Sequence, residues 1–192
     1  MKSFNWLLVL SVLSCFGCSS PVHEDDRGCA FVSDSIQYRV EFMSAGCVRI
    51  LSFPEGDTLV TKRLVVDSEK PAFKDYKWED TGQKLLFRTR ELSVVFDKAD
   101  AAFIFQETST GKLLLKEKGD RKARNFKRSV AGGEQCLEVT QRFVPTEDEA
   151  IYGLGQYQNG IMNYRGKSVL LLQANMDIVN PFLISTNGYG VL

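Results

Sequence analysis

Ile36-Gln37-Tyr38-Arg39-Val40-Glu41-Phe42 alternates apolar and polar side chains without a break, and the same period of two returns along much of the chain. Successive side chains of a strand point to opposite faces, so a run of this kind predicts a strand with one face buried. Val48 to Leu51 follows a turn at Gly46, and Leu59 to Val66 is β-branched and partly alternating. Leu85 to Phe87 and Leu92 to Phe96 read as two further short strands, and Val94 to Phe105 as a hairpin. Thr108-Ser-Thr-Gly111 predicts a turn, with Leu113 to Leu115 as the next strand and Leu137 to Val144 as another. No apolar period of 3.6 is sustained anywhere, and no internal repeat is visible. Turn signals spaced by roughly 8 to 12 residues predict an all-β sandwich.

The N-terminus has a different character. Lys2 precedes an apolar run from Trp6 to Leu13, followed by small residues and cysteines. The run is far shorter than the roughly 20 residues of a membrane span and fits the apolar core of a secretory signal. The cysteines at its end give it the form of a bacterial lipoprotein signal over residues 1–18. Cys15, after Val12-Leu13-Ser14, is the preferred lipidation site, with Cys18 as the alternative and an ordinary cleaved signal as a third reading. An exported chain held to a membrane surface by a lipid anchor is therefore expected. Residues 19–30 are polar and acidic and read as a flexible tether, which leaves 31–192 as the domain.

About 165 residues suffice for one domain with its own core. Twenty-four basic and twenty-four acidic residues cancel, so no long-range field favours nucleic acid or an anionic surface. The basic stretch from Lys112 to Arg128 holds eight positive and two negative residues. A solvated hairpin loop is preferred there over an anionic ligand, because Phe126 alone supplies an aromatic face. Cys29, Cys47 and Cys136 are an odd set, so at least one thiol stays unpaired in a monomer. Cys47 and Cys136 lie in strand-like runs and are expected to be buried as small apolar side chains. The single histidine, His23, lies in the tether, which removes Ser-His and Cys-His nucleophile pairs from the domain. No metal site and no cofactor are expected, since residues 31–192 hold no Cys-x-x-Cys pair and no Gly-rich phosphate loop.

Ile151 to Leu192 carries the most chemistry. Amides recur at Gln156, Gln158, Asn159, Asn163, Gln173 and Asn175, among tyrosines and glycines, and Asp177 is the one charge after Lys167. Amides both donate to and accept from hydroxyls, and aromatic faces suit sugar rings. The plainer reading is that these groups close turns and satisfy backbone. The chain stops inside an apolar run, where a frayed terminus would be polar, so continuation into a further domain is expected.

This segment resembles the end of the N-terminal domain of glycoside hydrolase family 31, the family of α-glucosidases and α-xylosidases. The resemblance rests on Tyr152-Gly153-Leu154-Gly155-Gln156, Asn163-Tyr164-Arg165-Gly166, Asn175-Met176-Asp177, Pro181-Phe182, Ser185 and Gly188-Tyr189-Gly190-Val191. Gln156 with Gln158 and Gly160 is similar to the α-xylosidase-like branch. Upstream the likeness is looser: Val94 to Leu115, with its Thr110-Gly111-Lys112-Leu113-Leu114 turn, resembles the same domain, and the first 90 residues match only in strand rhythm. The resemblance implies a galactose-mutarotase-like β-sandwich that precedes a (β/α)8 barrel and leans its last loops over the barrel's active-site face. It implies that Asp177, with Asn175 and Gln156 beside it, approaches an α-linked glucose or xylose unit of an oligosaccharide. A turn cap or a pair with Arg165 is the competing role for Asp177. The family's catalytic aspartates, a nucleophile and an acid about 5 Å apart, belong to barrel strand ends, so no catalytic residue and no turnover are expected from residues 1–192. A stand-alone carbohydrate-binding lipoprotein and a non-functional fragment are the rival expectations.

Overall fold

The computed structural model describes residues 22–57, 72–119 and 126–192. The expected signal segment, Cys15, Cys18 and the expected strand at Leu59 to Val66 lie outside the described residues, as does the middle of the basic stretch.

The described residues are all strand, turn and loop. The first sheet runs in the order β1 (His23–Glu24), β2 (Cys29–Ser33), β3 (Ile36–Ser44) and β4 (Cys47–Pro54), each antiparallel to the next. The second is a five-stranded meander of β5 (Lys77–Asp80), β6 (Lys84–Arg88), β7 (Leu92–Asp97), β8 (Ala102–Glu107) and β9 (Leu113–Lys116). A ribbon of β10 (Lys127–Ala131) and β11 (Glu134–Glu138) follows, and then a three-stranded sheet of β12 (Ile151–Gln156), β13 (Ile178–Ser185) and β14 (Tyr189–Val191).

Alternation decides which side chains meet. The inward positions of β2 and β3 are Cys29, Phe31, Tyr38, Val40 and Phe42; those of β6 to β8 are Leu85, Phe87, Val94, Phe96 and Phe103. Together they form one core cluster. Its centre is aromatic: Phe96 lies 4.8 Å from Phe31, 5.0 Å from Tyr38 and 5.0 Å from Phe103 between ring centroids, all tilted. Inclined rings at this spacing gain beyond area burial alone. Two sheets that bury their inner faces against each other make the expected sandwich. The β2–β3 connection is a two-residue turn in which Asp34 and Ser35 both take positive φ, 52° and 61°, which matches the twist of the strands it joins.

Three expectations are corrected. Residues 23–30 are not a free tether. His23 and Glu24 pair with Ala30 and Cys29, and Cys29 is fully buried. The polar side chains that read as tether hold the strand in place: Glu24 accepts from the Tyr76 hydroxyl and the Trp78 indole, both at 2.9 Å, and Asp25 takes the Arg39 guanidinium in two bonds of 2.8 and 2.5 Å. The cysteine expectation is reversed, with Cys29 buried and Cys47 and Cys136 exposed. Cys47 opens a hairpin strand and Cys136 lies on the exposed two-stranded ribbon, where strand membership gives no cover. Finally, the alternation of Leu137 to Val144 is not one strand. The ladder ends at Glu138, and Phe143 makes only an isolated bridge to Glu117.

Candidate functional site

Gly153 and Gly155 explain how the C-terminal sheet is built. Their φ values are +100° and +116°, and Leu154 between them is at +64°. A Cβ on Gly153 would sit 2.5 Å from the Phe182 carbonyl oxygen, and one on Gly155 would sit 2.0 Å from that of Ile178. The glycines let β12 lie directly on the β13 backbone across a bulge, with Gly153 opposite Leu183 and Gly155 opposite Val179. The bulge sets the end of β12, where Gln156 pairs with Ile178.

That register brings the expected rim residues to one end of the β12–β13 pair. Asp177 directly precedes Ile178. Asn175 and Met176 form the tip of a turn closed by Asp177 N–H donating to Ala174 C=O at 3.3 Å. Gln173 spans the same turn, donating to the Asp177 carbonyl at 2.9 Å and accepting from Val179 N–H at 3.1 Å. Met176 takes φ +73°, unusual for a residue with a Cβ. The two bulky residues held at positive φ in this region, Leu154 and Met176, thus flank Gln156 on one strand and lie between Asn175 and Asp177 on the other. Strain of this kind concentrates where geometry serves a site.

Gln156 and Asn175 are exposed and Asp177 is half-buried. Tyr157 completes the group: its hydroxyl donates to the Leu154 carbonyl at 2.9 Å, and its ring stands edge-on to Tyr164 at 6.4 Å and 73°. Desolvation, the Tyr164 phenol and the Asp177 carboxylate raise the Tyr157 pKa, which favours the neutral phenol that donates to Leu154. This end offers amides, a carboxylate, a protonated phenol and an aromatic face, groups that can donate to and accept from hydroxyls.

The other motif residues serve the frame. Asn163 accepts from Ile151 N–H at 3.1 Å and Arg165 N–H at 3.0 Å, and Asn159 accepts from Ile161 N–H at 2.9 Å. Arg165 does not meet Asp177. Its guanidinium donates to the carbonyls of Thr146 at 2.5 Å and Glu149 at 2.7 Å. The carboxylate of Asp177 makes no hydrogen bond among the described residues, so the turn is closed by its backbone.

Sequence reasoning missed Glu149. Its neighbours Glu147 and Asp148 are exposed, whereas Glu149 is only 3% exposed. Its carboxylate accepts from Ser185 Oγ at 2.6 Å, from the Tyr189 hydroxyl, and from Thr146 N–H at 2.9 Å. Burial opposes its ionisation. The donors from Ser185, Tyr189 and Thr146, with the charge of Arg165, outweigh that and hold the carboxyl below its usual range. Burial and the bond to Glu149 push Tyr189 up to about 12. The available signal was the pair of motif hydroxyls, Ser185 and Tyr189, which need a buried acceptor. Among the described residues no cluster of His, Cys, Asp and Glu has the form of a metal site.

Residues 37–192 match the Glycosyl hydrolase 31 N-terminal galactose mutarotase-like domain. The α-xylosidase of Saccharolobus solfataricus is 32% identical over 173 residues, covering 82% of this chain and 22% of that protein. The crystal structure of a GH31 α-xylosidase from Xanthomonas citri superposes with a TM-score of 0.74 at 29% identity, over 88% of this chain and 18% of the other. A GH31 α-xylosidase from a soil metagenome, solved with xylose, gives 0.70 at 24% identity over 89% and 27%, and shows the shared fold. The chain spans about a fifth of the length of these relatives. By the match over residues 37–192 it belongs to glycoside hydrolase family 31, as the N-terminal galactose-mutarotase-like β-sandwich of that family.

Proposed function

We propose that this domain serves an enzyme that removes terminal α-linked glucose or xylose from oligosaccharides, bracing a catalytic barrel and supplying part of the rim of its sugar site. The observation that carries the reading is the outer face of the C-terminal sheet. On β12 and β13 the side chains that point away from Ser185 and Leu183 include Tyr152, Ile178, Phe182 and Ile184, exposed by 37, 56, 37 and 49%, with Asn180 and Gln156 as the polar members of the same face. The opposite face carries Ile151, Val179, Leu183 and Val191, so the sheet is apolar on both sides. A soluble domain rarely leaves such a face to water. Polypeptide beyond these residues, which the relatives have in a several-fold longer chain, is its natural cover.

Gln156, Asn175 and Asp177 lie at one end of this sheet, and in this reading they meet the substrate's hydroxyls. Catalysis itself, by a carboxylate nucleophile and a carboxylic acid, is assigned to the barrel. The test is Asp177→Ala in the polypeptide that carries both domains, assayed on aryl α-xyloside, aryl α-glucoside and a xylose- or glucose-terminated oligosaccharide. A KM raised about tenfold with a smaller change in kcat is expected, the mark of lost binding in ground and transition states alike. Unchanged kinetics on all three substrates would remove Asp177 from the site.

Export and lipid anchoring through Cys15, or Cys18, form part of the same proposal and rest on the N-terminal sequence alone. Metabolic labelling with a radioactive fatty acid, lost in Cys15→Ser and retained in Cys18→Ser, is the expected result. Label lost only in Cys18→Ser would move the anchor, and no label in the parent would refute it.

A further inference from the structure

We infer that Glu149 is a positioning residue for the candidate sugar rim, acting through the loop and hairpin that it ties together. Three sets of contacts converge on residues 146–150. The first is the β13–β14 hairpin: Ser185 and Tyr189 donate to the Glu149 carboxylate, and Asn187 Nδ2 donates to Thr146 Oγ1 at 2.8 Å. The second is the loop after β12, whose Arg165 donates to the carbonyls of Thr146 and Glu149. The third is the start of β12 itself, where Ala150 N–H donates to Thr186 Oγ1 at 3.0 Å and Thr186 N–H donates back to Ala150 C=O at 3.1 Å. A buried carboxylate with three donors holds loop and hairpin together, and each donor lost leaves it less well satisfied.

The tie reaches the rim by a continuous path. Arg165 follows Tyr164, which is buried and whose N–H donates to Ile151 C=O at 2.8 Å. The Tyr164 ring packs edge-on against Tyr157, and the Tyr157 hydroxyl is fixed on Leu154, two residues before Gln156. Along the sheet, β12 and β13 are paired from Ile151–Ser185, at the Glu149 end, to Gln156–Ile178, beside Asp177. Glu149 touches none of the candidate substrate contacts. It orders the two supports on which they stand.

The consequence for catalysis rests on the glycosidase reading above, whereas the consequence for local order does not. Tyr189→Phe is the primary variant, because it removes one donor and leaves the carboxylate paired to Ser185 and Thr146; Glu149→Gln is the stronger one. In the full chain, amide hydrogen exchange at Ile151, Tyr164 and Thr186 is expected to rise at least tenfold in Tyr189→Phe, with amides of β7 and β8 unchanged. An unaltered exchange pattern, or an equal rise in β7 and β8, overturns the inference, since the first denies the tie and the second makes it a global stabiliser. In the two-domain enzyme the same variant is expected to raise KM for an aryl α-xyloside or α-glucoside severalfold at nearly constant kcat. If Asp177→Ala raises KM and Tyr189→Phe leaves it alone, the positioning role fails while the rim reading stands. If neither moves KM, the rim reading fails, and the exchange pattern decides alone whether Glu149 orders these elements.

Discussion

Gly155→Ala tests the physical claim that the Tyr-Gly-Leu-Gly motif exists for backbone contact. The new methyl would lie 2.0 Å from the Ile178 carbonyl oxygen and 2.9 Å from the Asn180 nitrogen, both backbone atoms that no rotamer change can move. Relief requires β12 and β13 to part where Gly155 pairs with Val179 and Gln156 with Ile178. Two contributions add. Alanine at φ +116° costs about 1 kcal/mol or more in conformational strain, and the overlap costs about 1–3 kcal/mol as overpacking. Gly160→Ala is the control, because Gly160 also has positive φ, +68°, but nothing lies within 4 Å of its absent Cβ. Its cost is the strain alone, about 1 kcal/mol. The expected difference between the variants is therefore the overlap cost, about 1–3 kcal/mol. In urea unfolding, with a slope of about 2 kcal/mol per molar, Gly155→Ala should unfold about 1 M earlier than Gly160→Ala at equal slope. Midpoints within about 0.2 M of each other would refute the close-contact argument.

Other outcomes follow from the core and the first sheet. Phe96→Ala, tilted against three neighbouring rings and fully buried, should cost about 3–5 kcal/mol by thermal or urea unfolding. The Arg39 guanidinium holds Asp25 well below the usual carboxylate range, with burial opposing and the Arg27 N–H assisting. A lowered folded pKa means that this contribution is complete above the unfolded value, near pH 4, and fades as pH falls below it. With Asp25 a third exposed it amounts to about 1 kcal/mol, so Asp25→Asn should unfold more easily than the parent at pH 7, by a margin that narrows steadily as pH falls below about 4. Burial, partly offset by the Tyr76 hydroxyl, pushes the Cys29 thiol up to about 11. A disulfide reagent at pH 8 should therefore label Cys47 and Cys136 in the folded protein and Cys29 only on unfolding; prompt labelling of Cys29 would mean that β2 is not part of the fold.

How much of this was legible depended on how local the cause was. Period-two patterning depends only on neighbours along the chain, and β3, β7 and β8 lie where the alternation put them. What holds β1 is not local. Glu24 is fixed by Tyr76 and Trp78, 52 and 54 residues away, and without those partners a His-Glu-Asp-Asp run reads as solvated tether. The two exposed cysteines show the same limit, since a strand pattern names two faces but not whether another layer covers them. The amides divided for a chemical reason. An amide that can bind a sugar hydroxyl binds a backbone group equally well, and Asn159, Asn163 and Gln173 are committed to backbone. Among the described residues the side chains of Gln156, Gln158, Asn175 and Asn180 make no hydrogen bond, and the grouping of Gln156 with Asn175 depends on the bulge that sets the β12–β13 register.

The family motif in this domain is thus mostly geometry. Gly153 and Gly155 permit backbone contact, Asn163 and Arg165 satisfy loop backbone, and Ser185 and Tyr189 satisfy a buried carboxylate. Such investment makes sense for a sheet that must present a fixed surface, and it bears on the choice between a stand-alone sugar-binding protein and one domain of a larger enzyme. A small-ligand site is a concave pocket, mostly apolar, with a few convergent polar groups. Here the rim is small, and beside it stand Tyr152, Ile178, Phe182 and Ile184, half in water. Covering each would gain about 1 kcal/mol from the remaining apolar area, about 4 kcal/mol in all. A folded domain that leaves that much unrealised on one flat face is shaped for a neighbour. In the proposed function, the rim groups at the end of that face lie at the seam between the two, where a substrate entering the neighbour's site would meet them.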